Sequence, residues 1–296
     1  MIKVLIIGFD SLDYNLINKF DLQYLKQIEY GMININVEPL SSPVIWASFL
    51  TGLPPEKHGI TGHGWENLIL DKLKHGGQML RLHKNQGLAK MSLSAFRLLE
   101  MLGFKRRLLQ IKYDTPTIFD YAEKPRVISV PGYNEESVNI EIRHKITKYL
   151  GNPKIEKQIA EKSLRIFEER KGRALKILNE DWDLFMVHFF LPDTIQHIYW
   201  YNENKIKKLY HIMDHTAKLF KNMVNDDETF ILFVSDHGQE KGVHTPYGFY
   251  SCNHKLILQK IKITDFSDII LQKLGIPSKS DIENIKGRLR RLGYLE

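Results

Sequence analysis

Three short runs constrain this chain more than any other feature. Residues 4–7, 183–190 and 229–234 are apolar and β-rich almost throughout. Such runs mark strands buried on both faces, the kind that parallel sheets carry under a cover of helices. Each run also stops at residues that carry chemistry. The first ends in Gly8-Phe9-Asp10, the second in Leu191-Pro192-Asp193 with His197 beyond, and the third in Ser235-Asp236-His237-Gly238. In open α/β sheets, ligands sit at the C-terminal ends of strands, so residues far apart in sequence can meet on one rim.

Segments with helical periodicity separate the runs, at 14–20, 154–178, 205–224 and 266–274. This alternation predicts an α/β fold: a mostly parallel central sheet with helices on both faces. Further strands are expected over 32–37 and 126–130, and a short helix within 115–121. Tyr247-Gly248-Phe249-Tyr250 reads as a turn, and the charged tail from 278 to 296 as a solvated end. With 296 residues, 43% of them hydrophobic, the chain has ample material for one domain over 1–296. Residues 66–113 differ in character. They are rich in Leu, Met, Lys and Arg (Lys105-Arg106-Arg107 among them) and read as two or three amphipathic helices inserted into the domain. Their basic face is either a solvated surface or a cap over an anionic substrate.

The formal net charge of +7 favours anionic partners: phosphate esters, nucleic acid or anionic lipid. A single cysteine, Cys252, leaves no intrachain disulfide and no thiolate metal cluster. His254 close by could suggest a thiol nucleophile, but no second activating feature points to one. The apolar N-terminus stops at Phe9-Asp10, too short for a membrane span and without a signal-peptide cleavage site. A cytoplasmic protein without a membrane span is expected.

Each candidate residue has a plain structural alternative. Asp10 could cap the helix that follows it. Ser41 and Ser42 precede Pro43, which suits the first turn of a helix running to about Leu50 and closing at Gly52. A hydroxyl there faces free N–H groups and the positive end of the helix dipole, or it simply caps the helix. Asp193 and His197 stand at i and i+4, which places both on one helical face, ready to hold one ion. The alternative is an Asp N-cap with a core histidine. Asp236 and His237 supply an oxygen and an imidazole nitrogen side by side, Gly238 allows a sharp turn, and His244 follows. Taken together, six oxygen and nitrogen ligands and one hydroxyl are the inventory for two divalent cations beside a nucleophile.

In this order the pattern resembles the alkaline phosphatase superfamily, and within it the type I phosphodiesterase/nucleotide pyrophosphatase family. The carriers are Gly8-Phe9-Asp10, Ser42-Pro43 running to Trp46 and Thr51-Gly52, His58-Gly59-Ile60, Pro192-Asp193 to His197, Ser235-Asp236-His237-Gly238, and a closing helix before Gly275-Ile276-Pro277. The resemblance implies that Asp10, Asp236 and His237 hold one metal, and that Asp193, His197 and His244 hold the other. It implies that Ser42 is the nucleophile, with Ser41 its neighbour. The family places its last histidine later in the chain, so His254 stands as the alternative to His244. His58 is expected to shape its loop. The implied cofactors are two divalent ions, zinc by preference, with manganese or iron tolerated. The implied substrate is a small phosphate ester, a phosphodiester or nucleotide-type pyrophosphate.

Four rivals remain at this stage. A cofactor-independent phosphoglycerate mutase shares the superfamily core, but is normally much longer and carries further basic substrate ligands not seen here. A sulfatase would need an arginine where Ile45 stands. A phosphomonoesterase could use the same two-metal site. A nucleic-acid or anionic-lipid binding protein could use the basic stretch alone.

Overall fold

The computed structural model describes residues 2–62, 65–67, 104–106, 109–256, 260–291 and 294. Its elements in chain order are β1 (Lys3–Phe9), α1 (Tyr14–Lys19), β2 (Glu29–Asn34), α2 (Ser42–Thr51), α3 (Pro55–His58), β3 (Trp65–Asn67) and β4 (Phe104–Arg106). A 3-10 turn (Ile118–Asp120) leads to β5 (Pro125–Ile128), α4 (Ser137–Tyr149), α5 (Pro153–Ile177), β6 (Leu184–Phe189), α6 (Leu191–Tyr199) and α7 (Glu203–Asn222). Then follow β7 (Thr229–Ser235), β8 (Gly238–Glu240), β9 (Val243–Thr245), β10 (Tyr247–Cys252), α8 (Asp265–Lys273) and α9 (Lys279–Arg291).

Six strands form the main sheet in the order β2-β10-β7-β1-β6-β5. β1 lies at its centre, parallel to both β6 and β7. β10 runs against its neighbours β7 and β2. The central register fixes the site. Phe9 pairs with Phe189 on one side and Ser235 on the other. The residues that follow these three therefore leave the sheet at one level. Adjacent strands lie about 4.8 Å apart, so Asp10, the start of α6 and Asp236 share one rim.

β6 and β7 are buried along their whole length, and β1 along all but its first residue, as their uninterrupted apolar sequences require. Alternate side chains serve opposite faces. Val4 and Ile6 pack into a core with Trp46 and Phe49 of α2 and Phe266 and Ile270 of α8. Leu5, Ile7 and Phe9 pack with Phe167 of α5 and Tyr210, Met213 and Phe220 of α7. Fully burying each such aliphatic or aromatic side chain stabilises by about 1.5–3 kcal/mol. No helix among the described residues is long and apolar enough to cross a membrane.

Several sequence expectations shift. The second strand falls at 29–34 rather than 32–37, and the tail carries the helix α9. Asp13, not Asp10, caps α1: its Oδ1 accepts from the Asn15 and Leu16 N–H groups at 2.8 and 3.2 Å. Asp10 is thereby left for another role. The expected turn at 247–250 is instead the strand β10. Gly248 looked like a turn residue but serves a close approach: a Cβ there would lie 2.6 Å from the Ser235 carbonyl oxygen. Of the expected helical insertion over 66–113, residues 68–103 lie outside the described residues. At its two ends, β3 and β4 pair antiparallel.

Gly248→Ala should thus press β10 away from the strand that delivers Asp236. The expected cost is about 1–3 kcal/mol, as for other overpacked sites, read by urea unfolding. A loss within the error of the titration would contradict this account of the glycine.

Candidate active site

The rim of the sheet gathers all seven residues singled out in the sequence. Asp10 follows β1 directly, and 1% of its surface is exposed. Ser42 is the first residue of α2, which ends at Gly52 in the left-handed conformation (φ 65°). Ser41 occupies the N-cap position, yet its side chain makes no capping bond. The Ser42 hydroxyl instead donates to Asp10 Oδ1 at 3.2 Å. Asp236 and His237, both fully buried, follow β7. His237 Nε2 lies 3.4 Å from Asp10 Oδ1 and 3.4 Å from Asp236 Oδ2.

α6 presents Asp193 and His197 on one face, as their spacing requires. His197 Nε2 is 3.2 Å from Asp193 Oδ1. β8 and β9 form a hairpin through Lys241 and Gly242, whose φ values of 50° and 79° suit a tight two-residue loop. That hairpin folds His244 back over the rim. Its Nε2 lies 3.1 Å from Asp193 Oδ1 and 3.0 Å from His197 Nε2. The His237 and His244 rings stack with centroids 3.9 Å apart, which joins the two groups.

Two of the named residues lie elsewhere. His254 rests against Phe230, near the start of β7, and its Nδ1 meets Lys273 Nζ at 3.1 Å. Six residue steps along the strand separate Phe230 from Asp236, about 20 Å. His58 is buried, with its Nε2 3.0 Å from Ser48 Oγ, and its Nδ1 accepts from the Ile60 N–H at 3.3 Å. It ties the loop after α3 to α2.

The electrostatics follow from three carboxylates crowded out of water. Burial, and then Asp10 beside it, push Asp236 up to about 7. Burial alone would lower His237, but Asp236 and Asp10 overcome it and lift it to about 10. Burial and Asp193 push Asp10 upward, yet His237 holds it below the usual carboxylate range. Burial likewise opposes ionisation of Asp193, and His197 and His244 outweigh it. His244 falls to about 4 through burial and the neighbouring His237.

A divalent ion fits this set. Asp10, Asp236 and His237 offer ligand atoms within 4.8 Å of one another, as do Asp193, His237 and His244. Among the described residues, buried Asp236 Oδ2 and His237 Nε2 have no hydrogen-bond partner. Asp193 Oδ1, His197 Nε2 and His244 Nε2 stand 3.0–3.2 Å apart. A tetrahedral ion with ligands near 2.1 Å needs them about 3.4 Å apart.

Residues invisible to sequence reasoning hold these side chains in place. Ser11, buried with φ 65°, turns its N–H onto Asp236 Oδ1 at 3.1 Å. Such strained backbone persists where the surroundings over-determine it. Its hydroxyl donates to Gln239 Oε1 at 3.0 Å, and the Gln239 amide lies 3.0 Å from His197 Nδ1. Gln196 donates to the Ser11 carbonyl at 2.6 Å and accepts from Tyr210 Oη at 3.1 Å. Arg143 of α4, bonded to the buried Glu135, stays charged against the pull of burial because Glu135, Asp10 and Asp193 surround it.

The fold is that of the alkaline-phosphatase-like α/β proteins, with the site on the C-terminal rim of the central strands. Residues 4–250 match the description "Type I phosphodiesterase / nucleotide pyrophosphatase", and the chain belongs to that family. No curated protein matches the sequence. Among solved structures, Ps i-CgsB in complex with k-i-k-neocarrahexaose aligns with TM-score 0.51 at 11% identity, over 95% of this chain and 73% of that one. The PH0037 protein from Pyrococcus horikoshii aligns with TM-score 0.48 at 12% identity, over 93% and 97% of the two chains. Murine ENPP5, an ectonucleotide pyrophosphatase/phosphodiesterase, aligns with TM-score 0.45 at 16% identity, over 80% of this chain and 57% of its own. The family is one of phosphate-ester hydrolases, which is the activity class of this chain.

One prediction concerns His58. Burial pushes it down from 6.5 to about 4. Unfolding restores the higher value, so between these limits the unfolded chain binds the extra proton. The stability tied to neutral His58 is complete above pH 6.5 and is lost as pH falls towards 4. His58→Gln should lose less stability over that window than the native chain, read by urea unfolding at several pH values. Equal losses would contradict the assignment.

Proposed function

We propose that the protein hydrolyses phosphodiesters or nucleotide-type pyrophosphates through a phosphoseryl intermediate on Ser42, at a site holding two divalent ions. One observation carries the reading: the Ser42 hydroxyl donates to Asp10 Oδ1 at 3.2 Å, at the start of a helix and beside two Asp/His groups. Asp10, Asp236 and His237 would hold one ion; Asp193, His197 and His244 would hold the other. The mixed oxygen and nitrogen set suits zinc and accommodates manganese or iron. When bound, such ions lower the pKa of the nucleophile, neutralise charge on the leaving oxygen and activate water.

The chain's own residues do the rest. Asp10 aims Ser42 Oγ, and the positive end of the α2 dipole favours negative charge on that oxygen. Oγ attacks phosphorus in line. The new O–P bond forms as the bond to the leaving oxygen breaks. The proton that Ser42 gives up to water is matched by the one a leaving alkoxide takes from water, while a leaving phosphate departs as its anion. Water then attacks the same phosphorus and releases Ser42, which recovers its proton. Arg143 adds a fixed positive charge near Asp10 and Asp193, offsetting part of the crowding.

His197 must offer a lone pair through Nε2, so its proton belongs on Nδ1. Turning the Gln239 amide oxygen towards Nδ1 meets that need. The amide N–H can then donate to the Ser11 hydroxyl. A partner that accepts from the other ring N–H and so fixes the tautomer of a ligating histidine is the usual arrangement in metal sites.

Ser42→Ala should cut turnover of bis-p-nitrophenyl phosphate by at least about 10³-fold, as loss of a nucleophile does elsewhere, while metal content stays unchanged. Undiminished turnover would overturn the assignment. A panel of p-nitrophenyl mono- and diesters with added Zn²⁺ or Mn²⁺ should show the diester turned over faster. Faster monoester turnover would assign a phosphomonoesterase instead.

A further inference from the structure

His188 lies in β6, one strand from the site, and belongs to none of the groups above. It is fully buried, and among the described residues neither ring nitrogen has a hydrogen-bond partner. A buried polar atom that loses its water and gains no partner destabilises the fold, so an imidazole without partners is a costly way to fill a core. Its surroundings leave it little freedom. The register sets it beside Gly8 of β1. The Trp46 ring packs edge-on against it, centroids 5.1 Å apart. Gly8 makes room for both rings: a Cβ there would lie 2.8 Å from Trp46 Cη2 and 3.3 Å from His188 Cδ2. The main-chain oxygen of His188 accepts from the buried Arg170 Nη1 at 2.9 Å.

The ring is held with Nε2 3.8 Å from Asp10 Oδ2. The two oxygens of Asp10 therefore face different ways. Oδ1 meets Ser42 Oγ and His237 Nε2 on the reacting side, and Oδ2 meets His188. We propose that His188 is a positioning residue for Asp10: it donates its Nε2–H to Oδ2 and so presents Oδ1 to the cation and the nucleophile. A small rotation of the Asp10 carboxylate closes the gap to hydrogen-bond distance, about 2.9 Å. A ligating carboxylate that is itself hydrogen-bonded is better oriented, and removing the outer partner typically costs about 10–100-fold in metal affinity. The inference rests on the two-ion reading of the site.

The test uses the full chain stripped of metal, with zinc as the probe. His188→Phe keeps a flat ring against Trp46 and removes the donor. His188→Gln restores an N–H at about the reach of Nε2. Zinc affinity is read by competition with a chromogenic chelator, and folding by thermal unfolding of the metal-free forms. The Phe variant should stay folded and bind one of two zinc ions about 10–100-fold more weakly. The Gln variant should recover most of that loss. Native affinity in the Phe variant, or a Gln variant as weak as Phe, would show that the ring only packs. Should the Phe variant not fold, Gln against Asn decides: the Asn amide is one methylene too short, and equal zinc affinities would overturn the proposal. If the native chain binds no zinc, the two-ion reading falls and this inference with it. If it binds two and the Phe variant matches it, only the role of His188 falls.

Discussion

Asp10, Asp193 and Asp236 lose their water within one small volume, and the rest of the site answers that crowding. Two buried carboxylates side by side cannot both stay ionised without positive charge between them. His237 supplies part of it and is lifted to about 10, while Asp236 itself rises to about 7. Those two shifts express how strongly the crowded carboxylates call for positive charge, which the proposed ions would supply. The crowding is not a local accident. It follows from the pairing of Phe9 with Phe189 and Ser235, which brings three strand ends to one level.

The remaining side chains keep that arrangement rigid. Ser11 reaches both Asp236 and Gln239 from a left-handed backbone. Ser235 Oγ accepts from the Leu12 N–H at 2.7 Å and donates to the His237 carbonyl at 2.8 Å, lacing β1 to β7 just past the sheet. Gln196 and Tyr210 join the first loop to α6 and α7. The loops at the rim thus hold one another, so the site's side chains do not depend on a single anchor.

Much of this was legible in the sequence because it was written in local terms. A wholly apolar run such as 229–234 has few alternatives to a buried strand, and Asp236-His237 directly after it can only lie at that strand's end. Asp193 and His197 announce their shared face through spacing alone. What was illegible depended on neighbours distant in sequence. Gly248 read as a turn because its need, a close approach to the Ser235 carbonyl, is a tertiary fact. His188 was hidden inside an apolar run, and only its register against Gly8 brings it near Asp10. Arg143 sits on α4, whose buried Ile142 and Ile146 lie among many polar residues and give a weak periodic signal. His244 rather than His254 reaches the rim because of a hairpin closed by Lys241 and Gly242, whose φ values no spacing rule announces.

The central claim is that residues between positions 10 and 244 enclose a pair of cations beside one serine oxygen. Anomalous diffraction at the zinc edge, from crystals grown with zinc, tests it most directly. The account predicts two peaks about 4 Å apart, one against Asp10, Asp236 and His237 and the other against Asp193, His197 and His244, with Ser42 Oγ beside the first. Peaks elsewhere on the chain, with these seven side chains left unligated, would contradict it.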